Sequence, residues 1–324
     1  MPTYLVTGAA GFIGASVSEA LLDRGDVVVG IDNLDDAYDV RLKLWRLSTL
    51  TKRAAFHFVN ADICLPIDQV AALVREHRPA ALINLSARAG ARASVQDPWV
   101  YFDVNTKGTV NLLELCRRLS IPKIVLASSS SLYGKSPVRP SREGQETLPI
   151  SPYAASKKAA EEICHVYHHL YGLNVTVLRY FTVYGPAGRP DMAPFRFVQW
   201  VVEEKPVLIS GDGRQQRDFT FIGDVAEATI KSLPLPGYEV LNVGSDHPTD
   251  LLTFVKRIEL SAGKTARLQF GPRHPADVEA TWADISKARE RLGWAPRTTL
   301  EEGVRRMTEW YVANRDWARD IATS

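Results

Sequence analysis

The chain has only three cysteines in 324 residues, Cys64, Cys116 and Cys164. They are widely spaced and form no C-x-x-C pair and no cluster with histidine. That pattern excludes a disulfide framework and a thiolate metal site, and three reduced, partly buried thiols with no bound metal are expected. Net charge is nearly absent as well, at +2. Such a balance gives no reason to expect nucleic acid or a membrane surface as partner, although a few local arginines can still bind a small anion. No apolar run approaches the roughly 20 residues that span a bilayer. The chain opens directly on a strand, without the basic region, apolar run and cleavage site of a signal peptide. Internal repeats and low-complexity tracts are missing too. A cytoplasmic protein is expected. What is present is ordinary globular composition, 45% hydrophobic and 23% charged. The length suits one large domain, or a large and a small one, around a sizeable core.

The first chemistry-bearing stretch follows a short apolar strand, Tyr4-Leu-Val-Thr7. Gly8-Ala-Ala-Gly11-Phe12-Ile13-Gly14 comes next, and Ala15 to Arg24 reads as a helix ending at Gly25. Strand, glycine turn and helix form the context of a phosphate-binding loop. Glycines let the backbone approach a pyrophosphate, and the helix N-terminus supplies free N–H groups and a positive dipole end. The spacing is G-x-x-G-x-x-G, and three glycines alone would equally suit a tight turn. A second strand, Asp26–Ile31, closes with Asp32. A carboxylate about 20 residues past the glycine loop, at a strand end, is where adenosine ribose hydroxyls are read. It would repel a 2′-phosphate, so NAD is expected over NADP, with Arg41 and Lys43 the nearby cations that could alter the choice.

Further strands read at Ala55–Val59, Ala81–Leu85 and Lys123–Ala127, with helices at Asp68–His77 and from about Val100 to Leu119. Alternating strands and helices predict an α/β fold, a doubly wound parallel sheet. Asp62 and Ile63, then Leu85, Ser86 and Ala87, fall at C-terminal strand ends, the edge where open α/β sheets bind ligands. The run Ser128-Ser129-Ser130-Ser131 ends the fifth strand at that edge. Ser151-Pro-Tyr153-Ala-Ala-Ser-Lys157 then opens a helix, with Ser151 as N-cap and Pro152 at the first position. Tyr153 and Lys157 lie one turn apart on the same face. An ammonium beside a phenol favours the phenolate, so Tyr153 could act as a base below its usual pKa of roughly 10.

Together these residues resemble the extended short-chain dehydrogenase/reductase family, over nearly the whole chain. Asp32-Asn33-Leu-Asp-Asp-Ala-Tyr-Asp-Val40, continuing to Leu42-Lys43, is similar to its UDP-glucuronate 4-epimerase branch. So are Arg179-Tyr180-Phe-Thr182-Val-Tyr-Gly-Pro186 and Gly188-Arg189-Pro-Asp-Met192. Arg217-Asp-Phe-Thr-Phe-Ile-Gly-Asp224 resembles a nucleotide-sugar signature shared by many relatives. Two places depart from the pattern: Arg88 precedes the usual Arg92, and Asn84 stands where many relatives carry histidine. The resemblance implies a Rossmann fold and an isomerase that uses NAD transiently. Tyr153 would remove the proton of the sugar 4-hydroxyl while hydride leaves C4, and hydride would return to the opposite face. Ser129 would share that proton, and Lys157 would bind the nicotinamide ribose and depress the Tyr153 pKa. Gly8, Gly11, Phe12, Ile13, Gly14, Asp32, Asn33, Lys43, Asp62, Ile63, Leu85, Ser86, Ala87, Asn105 and Tyr180 would make up the remaining cofactor seat.

After about Tyr180 the pattern loosens into segments punctuated by proline and glycine. Residues 1–180, joined by about 223–243, are expected to form the NAD-binding domain, and 181–222 with 244–324 the nucleotide-sugar domain. Helices read at Phe195–Glu204 and Asp224–Ser232, strands at Val207–Ile209 and Glu239–Val243, and a capping box opens Thr299–Arg315 with Thr299 and Glu302. Arg217 and Arg273 are candidates for the diphosphate, since guanidinium fits phosphate oxygens bidentately, Asp277 for ribose hydroxyls, and Arg92 for the substrate more generally. Each has the plain alternative of a solvated surface charge. Oxidising C4 of a uronic acid gives a β-keto acid that loses CO₂ readily, so the carboxylate must be fixed. Ser130, Ser131, Thr182 and Arg189 offer small donors and one cation for that task, while Ser129 would face the sugar at its 4-oxygen. Serine at 130 and 131 cannot supply the carboxylic acid–base chemistry of a 4,6-dehydratase, whose relatives carry an Asp-Glu pair there. The alternatives are a UDP-glucose 4-epimerase, disfavoured because a buried Arg189 would lack a counter-charge, a UDP-glucuronate decarboxylase, and a non-catalytic NAD-binding regulator. The helix near residues 100–119 and the Tyr153 helix resemble the family's dimer bundle, so a homodimer is expected.

Overall fold

Leu5 and Val6 are both fully buried, yet they lie in different cores. The same division separates Leu82 from Ile83, Ile124 from Val125 and Val177 from Leu178. Successive side chains of a strand point to opposite faces, so each pair marks a strand covered on both sides. A computed structural model describing residues 1–323 shows the sheet these strands build. In chain order its first half runs β1 (Thr3–Thr7), α1 (Phe12–Asp23), β2 (Val27–Asp32), α2 (Val40–Leu50), β3 (Phe56–Asn60), α3 (Ile67–Val74) and β4 (Ala81–Asn84). Then come α4 (Pro98–Tyr101), α5 (Gly108–Leu119), β5 (Lys123–Ser129), α6 (Pro152–Tyr171) and β6 (Asn174–Tyr180). The second half holds β7 (Thr182–Tyr184), α7 (Ala193–Val202), β8 (Pro206–Ser210), β9 (Gln216–Phe221), α8 (Ile222–Lys231) and β10 (Tyr238–Val243). It ends with β11 (Pro248–Asp250), α9 (Leu251–Ala262), β12 (Arg267–Gly271), α10 (Ser286–Leu292), α11 (Leu300–Ala313) and α12 (Arg315–Ala318).

Seven strands form one parallel sheet in the order β10-β6-β5-β4-β1-β2-β3. This is the doubly wound α/β fold expected from the sequence. The order reverses between β1 and β4, which is the switch point where such sheets bind dinucleotides. β10 joins the sheet beside β6, so the chain returns to it after leaving at Tyr180. It returns again at Ala283, Ile285, Ala288, Leu292 and Trp294, which pack in the core on the α1 side. A smaller lobe has its own core of Phe195, Val198, Phe219, Phe254, Val304 and Tyr311, with a three-stranded sheet β11-β9-β7 and the pair β12-β8. Phe12 and Leu42, from the glycine loop and α2, are buried in that second core. The two lobes therefore share side chains beside the cofactor loop.

Two expected elements differ in detail. The helix read from about Val100 starts at Pro98 and is interrupted at Phe102–Lys107 by a π-turn, whose extra residue turns Asn105 inward. Thr299 caps α11 by accepting from the Glu302 N–H, but the Glu302 carboxylate pairs with Arg305 instead of closing the box. All three cysteines are free thiols; Cys116 and Cys164 are buried and Cys64 is half-buried. No described helix is long and apolar enough to cross a membrane, and no group of metal-ligating side chains occurs among the described residues.

Behind α6 lies a buried ion pair. Arg179 donates to both Glu161 oxygens, at 3.0 and 2.7 Å, and to the Tyr133 hydroxyl, while Ser128 donates to Glu161 as well. Removing one partner strands the other charge out of water. Glu161→Met and Arg179→Met should each lower unfolding free energy by about 3–5 kcal/mol in urea titration. The double variant should lose less than the sum; full additivity would show that the pair is not coupled.

Candidate active site

The glycine loop is dictated by close backbone approach. Gly8 has φ +68°, and a Cβ there would lie 2.8 Å from the Leu85 carbonyl and the Ser86 nitrogen. A Cβ on Gly14 would meet the Gly8 carbonyl oxygen at 1.9 Å. Gly11 is the N-cap of α1, and no side chain caps the N–H groups of that first turn. Asp32, buried at the end of β2, accepts from the Ala10 and Leu34 N–H groups at 3.1 and 2.9 Å. Asn33 donates to Asp62 at 3.0 Å, and Asp62 also accepts from the Cys64 N–H. Ile63 is buried against Gly108 of α5. Burial pushes the Cys64 thiol up to about 12, aided by Asp62, so it is unreactive. Uncapped first-turn N–H groups, a backbone-lined glycine cradle and a strand-end carboxylate fit a dinucleotide. Both nearby cations are neutralised: Lys43 lies 2.9 Å from Asp35 and 3.7 Å from Asp32. Arg41 is held by Asp39. Neither is free for a 2′-phosphate, which fits NAD.

Ser151 caps α6 by accepting from the Ala154 N–H, with Pro152 at the first position. One turn apart on that helix, Tyr153 is half-buried and Lys157 fully so. Burial raises the Tyr153 pKa above its usual value, opposed by a hydrogen bond from Ser129 and by the positive charge of Arg189. The Lys157 ammonium donates to the Ala127 carbonyl on β5 at 2.8 Å, and burial depresses its pKa to about 8, with Glu161 opposing. Arg189 thus adds a positive charge beside the phenol from outside α6. The edge of Tyr101 packs on Tyr153 with ring centroids 6.1 Å apart. Ser129 lies at the end of β5 and accepts from the Ser131 N–H at 3.1 Å. Ser130 and Ser131 open the half-buried 3₁₀ turn that follows.

Asn105 braces this helix against the loop after β4. Its side chain accepts from the Arg88 N–H and donates to the Arg88 carbonyl and to Ser156, each at 2.9 Å. Asn84 is also fully engaged, accepting from Thr7 and donating to Thr109 at 2.8 and 3.2 Å. A buried amide with two hydroxyl partners explains its place at the end of β4. Arg88 reaches Asp35 at 3.2 Å. Half-buried Ser86 and Ala87 begin this loop. Tyr180, expected to serve the cofactor, has its side chain in the core, where its hydroxyl lies 2.8 Å from Thr229 of α8. Strand alternation sends it inward, leaving only its backbone at the sheet edge.

Two clusters of arginine follow. Arg189 donates to both Asp191 oxygens at 3.0 and 2.6 Å, and to the Ala89 carbonyl at 3.3 Å. It is thus paired, and the argument that a neutral sugar would leave it without a counter-charge does not hold. Thr182, half-buried, starts β7 just before that segment. Arg92 is bidentate to Asp277 at 3.0 and 2.6 Å and reaches Ser210 at 3.0 Å. Asp277 is thereby committed to an arginine rather than standing open. Burial lowers the Arg217 pKa, with Asp277 opposing and Arg92, Arg273 and Arg139 adding repulsion. Arg273 lies against Gly211 and has only distant carboxylates, at 3.7 and 3.8 Å. Arg92, Arg217 and Arg273 are therefore gathered with more positive charge than Asp277 balances, which is an anion seat. Arg139, Arg196, Tyr101 and Asp191 were not singled out by sequence reasoning. Asp191 lay inside a quoted motif, whereas isolated arginines carry no spacing signal.

Comparisons with known proteins agree with this arrangement. The family model described as GDP-mannose 4,6 dehydratase matches residues 5–307. A UDP-glucuronate 4-epimerase of Thermodesulfobacterium geofontis is 50% identical over 324 residues, covering 99% of both chains. Among solved structures, a UDP-glucuronic acid 4-epimerase from Bacillus cereus, in complex with UDP-glucuronic acid and NAD, superposes with a TM-score of 0.91 at 35% identity. That match covers 96% of this chain and 99% of the other. A UDP-glucose 4-epimerase from Thermotoga maritima, with UDP-glucose, gives a TM-score of 0.90 at 30% identity, over 97% and 99% of the two chains.

The arginine cluster carries a direct expectation. A charge-assisted hydrogen bond contributes about 1.5–3 kcal/mol, so Arg217→Gln should weaken UDP binding roughly ten- to hundredfold in calorimetric titration. Arg217→Lys should recover only part of that loss, since a point charge lacks the planar fork. Unchanged affinity in both would remove Arg217 from the anion seat.

Proposed function

The chain belongs to the nucleotide-sugar epimerase and dehydratase family described by that model, and on this premise we propose that it is a UDP-glucuronate 4-epimerase. It is an NAD-dependent isomerase that interconverts UDP-glucuronate and UDP-galacturonate. The observation that carries the reading is Tyr153, half-buried on α6 against Tyr101, with Ser129 and the Arg189 charge opposing the burial that raises its pKa. Bound NAD supplies a reversible hydride acceptor at sugar C4. In our reading, Tyr153 takes the proton of the 4-hydroxyl and returns it after the keto sugar has turned over, while Ser129 holds the same oxygen. Lys157 holds ribose hydroxyls of the nicotinamide half. Arg92, Arg217 and Arg273 hold the diphosphate.

The C6 carboxylate decides the product. A 4-keto uronic acid loses CO₂ when its carboxylate bond aligns with the carbonyl π system, so the seat must hold the carboxylate out of that alignment. We assign Arg189, Ser130, Ser131 and Thr182 to that seat. Serine at 130 and 131 also leaves no carboxyl group to eliminate water from C5 and C6. The family model takes its description from a dehydratase, but the side chains argue for re-reduction. We further place the domain boundary at 181, with residues 223–243 and the 283–294 stretch returning to the cofactor half, and the protein in the cytoplasm, where its three thiols stay free.

A homodimer is part of the same proposal. Trp99 is 79% exposed beside Val95 and Phe102, and Val166, Leu170 and Tyr171 are exposed on α6. A second copy is the occupant we propose for these apolar side chains on the α4–α5 and α6 face. Sedimentation should give about twice 35.9 kDa, and Trp99→Glu with Leu170→Glu should give the monomer; a monomeric wild type would exclude the dimer.

Purified protein incubated with UDP-glucuronate should form UDP-galacturonate without UDP-pentose, read by separating the sugar nucleotides. Turnover of UDP-glucose alone would contradict the proposal. Tyr153→Phe should lower kcat by about 10²–10⁴-fold while leaving bound NAD unchanged.

A further inference from the structure

The segment that carries Arg189 is fastened by residues of the cofactor half. Arg46, on α2, is only 3% exposed, and none of its acceptors is a carboxylate. Its Nε and Nη2 both donate to the Ala187 carbonyl, at 3.0 and 2.6 Å, and Nη2 also reaches Gly188 at 3.2 Å. Its Nη1 donates to the Ala10 carbonyl of the glycine loop at 3.1 Å and to the Tyr38 hydroxyl at 2.9 Å. The five donors of the guanidinium are thus all used. Ala187 has φ +52°, a left-handed conformation that non-glycine residues adopt at a cost, and its carbonyl is the one Arg46 grips twice. Two residues further on stands Arg189.

Tyr38 completes the arrangement. Its ring centroid lies 5.5 Å from the Arg189 guanidinium carbon, 5.7 Å from that of Arg46 and 5.4 Å from the Lys43 ammonium. These are cation–π distances. Arg189 is therefore bounded by an aromatic face on one side and by Asp191 and the Ala89 carbonyl on the others. Lys43, on the same ring, is the residue paired with Asp35 and Asp32.

We infer that Tyr38 and Arg46 are positioning residues for the sugar C6 carboxylate. Arg46 ties the 185–189 turn to the glycine loop, and the Tyr38 face sets where the Arg189 guanidinium stands. The loop that reads the adenosine ribose thereby also sets discrimination at C6. The inference rests on the reading that Arg189 faces the carboxylate. Neither residue touches the reacting atoms; both act through Arg189.

The test is calorimetric titration of the NAD-loaded full chain with UDP-glucuronate, UDP-glucose and UDP. The wild type should prefer UDP-glucuronate over UDP-glucose; if it does not, the carboxylate reading of Arg189 fails first. A cation–π contact of about 0.5–2 kcal/mol corresponds to roughly two- to thirtyfold in affinity. Tyr38→Leu should lose about that much of the preference while UDP binds within about threefold of wild type. Tyr38→Phe, which keeps the ring, should keep the preference. Arg46→Lys, with too few donors to hold both the turn and Tyr38, should lose it at unchanged UDP affinity, and it serves should Tyr38→Leu not fold. A preference retained in Tyr38→Leu or Arg46→Lys, or a parallel loss of all three ligands, would overturn the inference.

Discussion

A phenol has to ionise to act as a base, and burial opposes ionisation; much of this site answers that one constraint. Tyr153 sits at the sheet edge with its pKa raised by withdrawal from water. Ser129 and Arg189 pull the other way. Lys157, the cation nearest in sequence, donates to the Ala127 carbonyl, with its own charge weakened by burial. Part of the counterweight therefore comes from the second lobe, from Arg189 on the segment after β7. A cation placed to favour a phenolate must itself be steadied, and Asp191, the Ala89 carbonyl and the Tyr38 ring do this for Arg189.

The parallel sheet makes that arrangement possible. All seven strands run the same way, so Asp32, Ser129 and the glycine loop arrive at one edge. The loop after β4 then crosses this edge from Leu85, packed on Gly8, to Arg92, paired with Asp277. On its way it passes Asn105, Tyr101 and Arg189, which bond its backbone. One short loop thus touches the cofactor cradle, the aromatic ring that packs on the base, and the anion seat. Phe12 and Leu42 bury themselves in the second core, so the lobes meet where the dinucleotide loop begins.

Much of this was legible in the sequence because it depends on local rules. The glycine turn between strand and helix, the strand-end Asp32, the Ser151 cap and the one-turn spacing of Tyr153 and Lys157 each carry a local physical signature. Arg46 does not. In the sequence it is one more basic residue of α2, and a buried guanidinium satisfied by carbonyls leaves no complementary side chain to find. The π-turn at Asn105 was hidden because one added residue hardly disturbs helical periodicity. Pairing was the other blind spot: Asp191 is two residues from Arg189 yet was not recognised as its partner, so Arg189 looked uncompensated. The inward turn of the Tyr180 side chain follows from strand alternation, which the motif does not show.

The account holds that C4 is oxidised and then reduced at the same carbon, with no hydrogen lost to water. The most direct measurement uses UDP-glucuronate carrying deuterium at C4, with the product examined by mass spectrometry and NMR. The account predicts UDP-galacturonate that keeps the deuterium at C4. Product in which it has been replaced by solvent hydrogen would contradict it.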